Sequence, residues 1–166
     1  MLDLIKQSLT RQFEAGLCML DDCLRLCPAE HWDGLVAKYP FWQVGYHVLC
    51  FVDLYLTRDE KSFVCRPELQ PLGLREFDDE HPSRNFGREE LRGYVSICRQ
   101  KAIDTIGAET AETLAGPSGF PWLKFPRAEA YLYNLRHIQH HTGQLGAYVR
   151  RVDSPLDPRW IGTGWR

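Results

Sequence analysis

Tyr133-Asn134-Leu135-Arg136-His137-Ile138-Gln139-His140-His141-Thr142-Gly143-Gln144-Leu145 is the stretch that decides how this chain is read. Apolar residues at Leu132, Leu135, Ile138 and Leu145 recur near the 3.6-residue period, which predicts a helix with one side in a core. His137 and His141 are four apart, so on that helix their side chains stand one above the other, about 5–6 Å apart at Cβ and within reach of one metal ion. Two protein ligands rarely make a site, and the natural third is His47.

His47 lies in Phe41-Trp42-Gln43-Val44-Gly45-Tyr46-His47-Val48-Leu49-Cys50-Phe51-Val52-Asp53-Leu54-Tyr55-Leu56, which is apolar nearly all round. Such a helix belongs inside a bundle, where an imidazole needs a partner or stays a costly buried polar group. A histidine in Phe-Trp-Gln-x-x-Tyr-His-x-Leu-x-x-x-Asp-x-Tyr-Leu, followed much later by Asn-Leu-Arg-His-x-Gln-His-His-x-Gly-Gln-Leu, resembles the DinB-like family of metal-dependent proteins. The resemblance runs from the first helix to the Pro158-Arg159-Trp160-Ile161-Gly162 tail. It implies an all-α four-helix bundle with a long crossover between helices 2 and 3, and a divalent metal held by His47, His137 and His141. It names that fold and that triad more firmly than any reaction.

At 166 residues the chain is most simply one domain, long enough for a real core. A formal net charge of −2 with scattered Lys and Arg gives no basic field for nucleic acid. No run reaches the length of apolar sequence needed to span a bilayer, and the N-terminus mixes charge with apolar residues from Asp3 and Lys6 onward, so neither a membrane nor a secreted protein is expected. Cys18, Cys23, Cys27, Cys50, Cys65 and Cys98 contain no Cys-x-x-Cys pair; most fall on or beside apolar helix faces, as reduced cysteines of a cytoplasmic protein do. Cys23 and Cys27 are four apart, but with no histidine on their helix and Pro28 ending it, packing is the better reading.

In chain order, Leu2, Ile5, Leu9, Phe13, Leu17, Leu20 and Leu24 form the stripe of an amphipathic helix from Leu2 to Leu26, closed by Pro28. A connection that carries His31, read as a solvated loop residue, leads to Pro40 at the start of the second helix, which runs to about Thr57. Residues 58–87, with Pro67, Pro71, Gly73, Pro82 and Gly87, read as a long crossover with at most one or two short turns of helix; loops this long are often lids or flexible surface. His81 within it reads as a solvated residue of an acidic loop. Arg88 to about Gly107 gives the third helix and Arg127 to Val152 the fourth, with a Gly- and Pro-rich loop between them; no convincing strand is present.

The His-x-x-x-His spacing is shared with zincin proteases, but those need a glutamate directly after the first histidine, and here that place is Ile138. The di-iron Glu-x-x-His pattern fails too, since the residues three before His137 and His47 are Asn134 and Val44. What remains is one ion on three imidazoles with an open position, a donor set suited to zinc or nickel, with iron or copper also compatible. His140, about 100° around the helix from His141, is expected at the helix edge or a subunit contact. Gln43, Asn134 and Gln144 are candidates for lining the cavity or orienting the ligand imidazoles. Asp53 is assigned a structural role, and Tyr46, Tyr131, Tyr133, Trp42 and Phe51 are read as core and not as a substrate box. No catalytic residue beyond the metal set is identifiable.

Two function classes stay open. One is an enzyme in which the metal generates a nucleophile, and the resemblance implies thiol-dependent transferases and related enzymes that act on a small molecule with a low-molecular-weight thiol. The other is a non-catalytic metal-binding, stress-related or interaction protein. The aromatic content, five Trp, seven Tyr and eight Phe, exceeds what one narrow bundle core readily buries and predicts a homodimer.

Overall fold

The structure, a computed structural model, describes residues 1–78, 82–153 and 155–166. It is predominantly helical: α1 (Leu2–Leu26), α2 (Phe41–Leu56), α3 (Arg88–Ala108), a short α4 (Ala111–Ala115) and α5 (Arg127–Val152). α1 packs on α3 and α5, and α2 packs on α5 and α3, so the two histidine-bearing helices lie side by side. Two features depart from the sequence expectation. A two-residue ladder pairs Leu35–Val36 (β1) with Tyr39–Pro40 (β2), and α4 interrupts the loop before α5.

The apolar stripe of α1 behaves as its period demands, with Phe13, Leu17, Leu20 and Leu24 wholly buried. α2 is buried almost all round, and at Gly45 the side chain of Leu24 from α1 fills the space of a Cβ, which would stand 2.9 Å from Leu24 Cδ2. Cys23, Cys27, Cys50 and Cys98 are buried free thiols, and burial pushes Cys23 and Cys50 up to about 12. These cysteines are packing residues, as their spacing suggested.

The described residues of the crossover between α2 and α3 keep to the expected one or two short helical turns and are tied down by specific contacts. It contains 3₁₀ turns at Glu60–Ser62 and Gly73–Phe77. Tyr46 donates its hydroxyl to the Leu69 carbonyl and stacks on Phe86 with ring centres 4.2 Å apart. Buried Glu76 accepts the backbone N–H groups of Leu72 and Ser83. Deepest of all, Asp53 on α2 is fully buried and binds Arg66 from the crossover, Lys101 of α3 at 2.6 Å and the Tyr94 hydroxyl at 3.0 Å. His81 lies outside the described residues.

A second buried cluster sets α5 against α2. A helix end leaves its last carbonyls without intrahelical donors. Arg127, only 4% exposed, supplies donors to the carbonyls of Tyr55, Leu56 and Thr57 at the end of α2. Glu109 pairs with the Arg127 guanidinium at 3.2 Å and accepts the Tyr131 hydroxyl at 2.5 Å. Burial by itself would raise the Glu109 carboxyl, but hydrogen bonds from Thr113, Tyr131 and Arg127 outweigh it and hold the group below its ordinary range.

The C-terminal tail folds back on α1. Gly164 donates its N–H to the Arg11 carbonyl, Gln12 donates to the Gly162 carbonyl, and Arg99 stands over the Trp165 ring. Trp165 is thereby covered within the chain, whereas Trp160 stays 79% exposed.

Candidate metal centre

His47 comes from the middle of α2, and His137 and His141 from successive turns of α5. Their three rings converge, with centres 5.0 Å (His47–His137), 4.9 Å (His47–His141) and 4.7 Å (His137–His141) apart. His47 Nε2 and His137 Nε2 stand 3.1 Å apart. One ligand nitrogen from each residue lies within 4.8 Å of the others, and among the described residues these three form the one His, Cys, Asp or Glu group able to hold an ion. Nitrogens about 2.0–2.1 Å from one tetrahedral ion lie roughly 3.3 Å from one another, so small ring rotations would bring this set into register.

The donor chemistry fits a divalent ion. His137 is held neutral by burial first and by its histidine neighbours second, which together push it down to about 3, so its lone pair stays available at ordinary pH. Its Nδ1 is buried without a hydrogen-bond partner among the described residues. Gln144 Oε1 lies 2.9 Å from His141 Nδ1. A carbonyl oxygen only accepts, so Nδ1 carries the proton and Nε2 keeps the lone pair that a metal needs. The Gln144 amide nitrogen is in turn 3.3 Å from His140 Nε2. His140 is exposed at the helix edge, with its ring 4.8 Å from that of His141 but outside the convergent set.

The other sequence candidates divide. Gln144 reaches a ligand imidazole. Asn134, wholly buried one turn before His137, donates to the Val52 carbonyl at 3.4 Å and so bridges α5 to α2, with its Oδ1 left without a partner among the described residues. Gln43 is buried one turn before His47. His31 is half-buried beside Tyr148, with ring centres 6.4 Å apart, and is not part of the cluster.

Reading all five aromatic residues as core holds for Tyr46, Tyr131 and Trp42, at 1%, 1% and 3% exposed. It needs correcting for Phe51 and Tyr133, which are only partly buried. Phe51 is one turn after His47, and its ring centre lies 4.7 Å from His47 and 5.5 Å from His137. Phe77 from the crossover meets Phe51 edge-on at 5.4 Å. The helical offsets 47 to 51 and 133 to 137 carried the signal for Phe51 and Tyr133; nothing in the sequence pointed to Phe77, whose approach depends on the path of the crossover. Surface hollows of about 520 and 500 Å³ are lined by residues 115–126 and by the outer face of α5 around Leu132 and Arg136, not by the triad.

No curated protein and no solved structure matches the chain. The model of the DinB superfamily matches residues 25–145, which span all of α2 and α3 and the three convergent histidines. By its match over most of its length, with the histidine triad inside it, the chain belongs to the DinB superfamily.

Proposed function

We propose that this protein is a metal-dependent enzyme that holds one divalent ion, zinc or nickel foremost and iron next, on His47, His137 and His141 and transfers a group to or from a low-molecular-weight thiol. The observation that carries this reading is the approach of three imidazole nitrogens from two helices to within 4.8 Å, with no fourth ligand among the described residues. An ion with a free position lowers the pKa of a water or thiol and supplies a nucleophile at neutral pH. The chain's own residues do the rest: burial keeps His137 unprotonated, Gln144 sets the His141 tautomer, and the Arg127–Glu109–Tyr131 cluster fixes α5 on α2 so that the three nitrogens keep their spacing.

The test is elemental analysis of the purified protein, followed by incubation of the loaded protein with a thiol and an electrophile while free thiol is counted. One equivalent of metal and metal-dependent thiol loss are expected. Stoichiometric metal without thiol turnover on any electrophile would favour the alternative, a non-catalytic metal-binding protein.

The long helices α1, α2, α3 and α5 support a single four-helix bundle domain, with residues 57–87 as its crossover. The buried free cysteines fit a reducing cytoplasm, and no described helix is long and apolar enough to cross a membrane. Exposed Trp160, Trp122 and Leu132 support a homodimer, to be measured by light scattering: twice 19.3 kDa is expected, and a mass near 19.3 kDa at micromolar concentration would rule it out.

A further inference from the structure

Beside the triad runs a band of aromatic rings that the core does not fully absorb. Phe51 touches His47 and His137, Phe77 meets Phe51 edge-on with ring planes at 87°, and Phe63 meets Phe77 at 84°. In the other direction Tyr55 continues the band from Phe51 at 5.7 Å to Tyr133 at 5.5 Å. Tyr55 is buried, but Phe51, Phe63, Phe77 and Tyr133 are all only partly buried. A protein interior would have closed over such rings, because each half-covered ring forfeits apolar burial.

The position of the band says what it is for. Phe51 packs directly on two of the three imidazoles, so a molecule anchored at the triad would have that ring as a neighbour. Small-molecule sites commonly join a few fixed polar anchors to apolar and aromatic walls.

Resting on the metal reading above, we infer that the triad and its aromatic band form one substrate site, which takes a small molecule with a metal-binding donor at one end and an aromatic group lying against Phe51 and Phe77. The donor end decides that the molecule binds, and the band decides which molecule. Phe51 and Phe77 are then specificity residues, while an ion held by His47, His137 and His141 would accept any accessible soft donor.

The experiment loads the protein with Co²⁺ and titrates it with benzyl mercaptan and with 2-mercaptoethanol, whose thiols have nearly equal acidity, following the cobalt absorption bands. Benzyl mercaptan is expected to bind at least about tenfold tighter, the scale of partial burial of one ring. Phe77→Ala and, separately, Phe51→Leu, which keeps most of the apolar volume and so the fold, should each shrink that preference, read as the ratio of the two affinities within each variant, to below about threefold. A wild-type preference below about twofold, or one that survives both substitutions in proteins with wild-type melting temperatures, overturns the inference. Failure to take up cobalt would overturn the metal reading and this one together; uptake of cobalt with no preference overturns this one alone.

Discussion

Asp53 and His47 sit on the same helix, two turns apart, and the protein treats them in opposite ways. Asp53 is fully buried and saturated: Arg66, Lys101 and Tyr94 all direct donors at its carboxylate. His47 Nε2 instead stands 3.1 Å from His137 Nε2, and its ring packs on half-buried Phe51. A buried polar group whose every lone pair is met inside the chain ties elements together and has nothing left for a guest. Imidazoles that converge from two helices, beside rings that stay partly open, form an arrangement that an ion could complete.

The sharpest way to break this contrast is at the triad. His137→Ala or His141→Ala is expected to abolish stoichiometric metal, as is His47→Ala, while His31→Ala keeps it; metal analysis of the purified variants decides. Full metal content in His47→Ala would detach α2 from the site.

The Asp53 side should show the reverse. Asp53→Ala leaves Arg66 and Lys101 without their buried partner, and breaking such a cluster typically costs about 3–5 kcal/mol. Urea denaturation should record that loss, with the folded fraction still binding metal at wild-type stoichiometry. A variant that loses metal while its stability is unchanged would mean the two regions are one.

A pH series sharpens the contrast further. In the metal-free protein His137 is depressed to about 3, whereas in the unfolded chain it titrates near its ordinary 6.5. Between those values the unfolded state binds the extra proton, so this contribution is fully present above pH 6.5 and is lost as pH falls from 6.5 toward 3. Melting temperature should therefore decline over that window, and His137→Phe should flatten the part of the slope that His137 owns. Metal-loaded protein should also release its ion as the ligands take up protons.

The smallest effect is expected at Gln144. Gln144→Ala removes the acceptor that holds His141 Nδ1–H, and metal affinity should fall by about 10- to 100-fold with the melting temperature of the metal-free protein unchanged. Competition with a chromophoric chelator measures it. Affinity within twofold of wild type would make the contact incidental.

Much of this arrangement was legible beforehand because it is periodic. The stripe from Leu2 to Leu24 announced α1, Pro28 closed it, and Arg127 to Val152 was recovered with both ends in place. The His137–His141 pair needed only the pitch of a helix. His47 needed more: its apolar context and the family resemblance nominated it, since no local rule joins residues 90 apart in sequence. The short ladder at Leu35–Tyr39 escaped notice because two residues per strand carry no alternation to detect.

The sequence by itself determined the four long helices, the buried thiols and which face of α5 carries paired imidazoles, because each follows from spacing along one element. Only the tertiary structure decided that the crossover is clamped to α2 by Asp53 and Tyr46 and braced within itself by Glu76, and that Phe77 arrives beside Phe51 at the triad. It also decided that Arg127 caps the end of α2 and so ties the two histidine-bearing helices together. These are contacts between segments far apart in the chain, and their energy depends on where the backbone has already gone, which no residue spacing encodes.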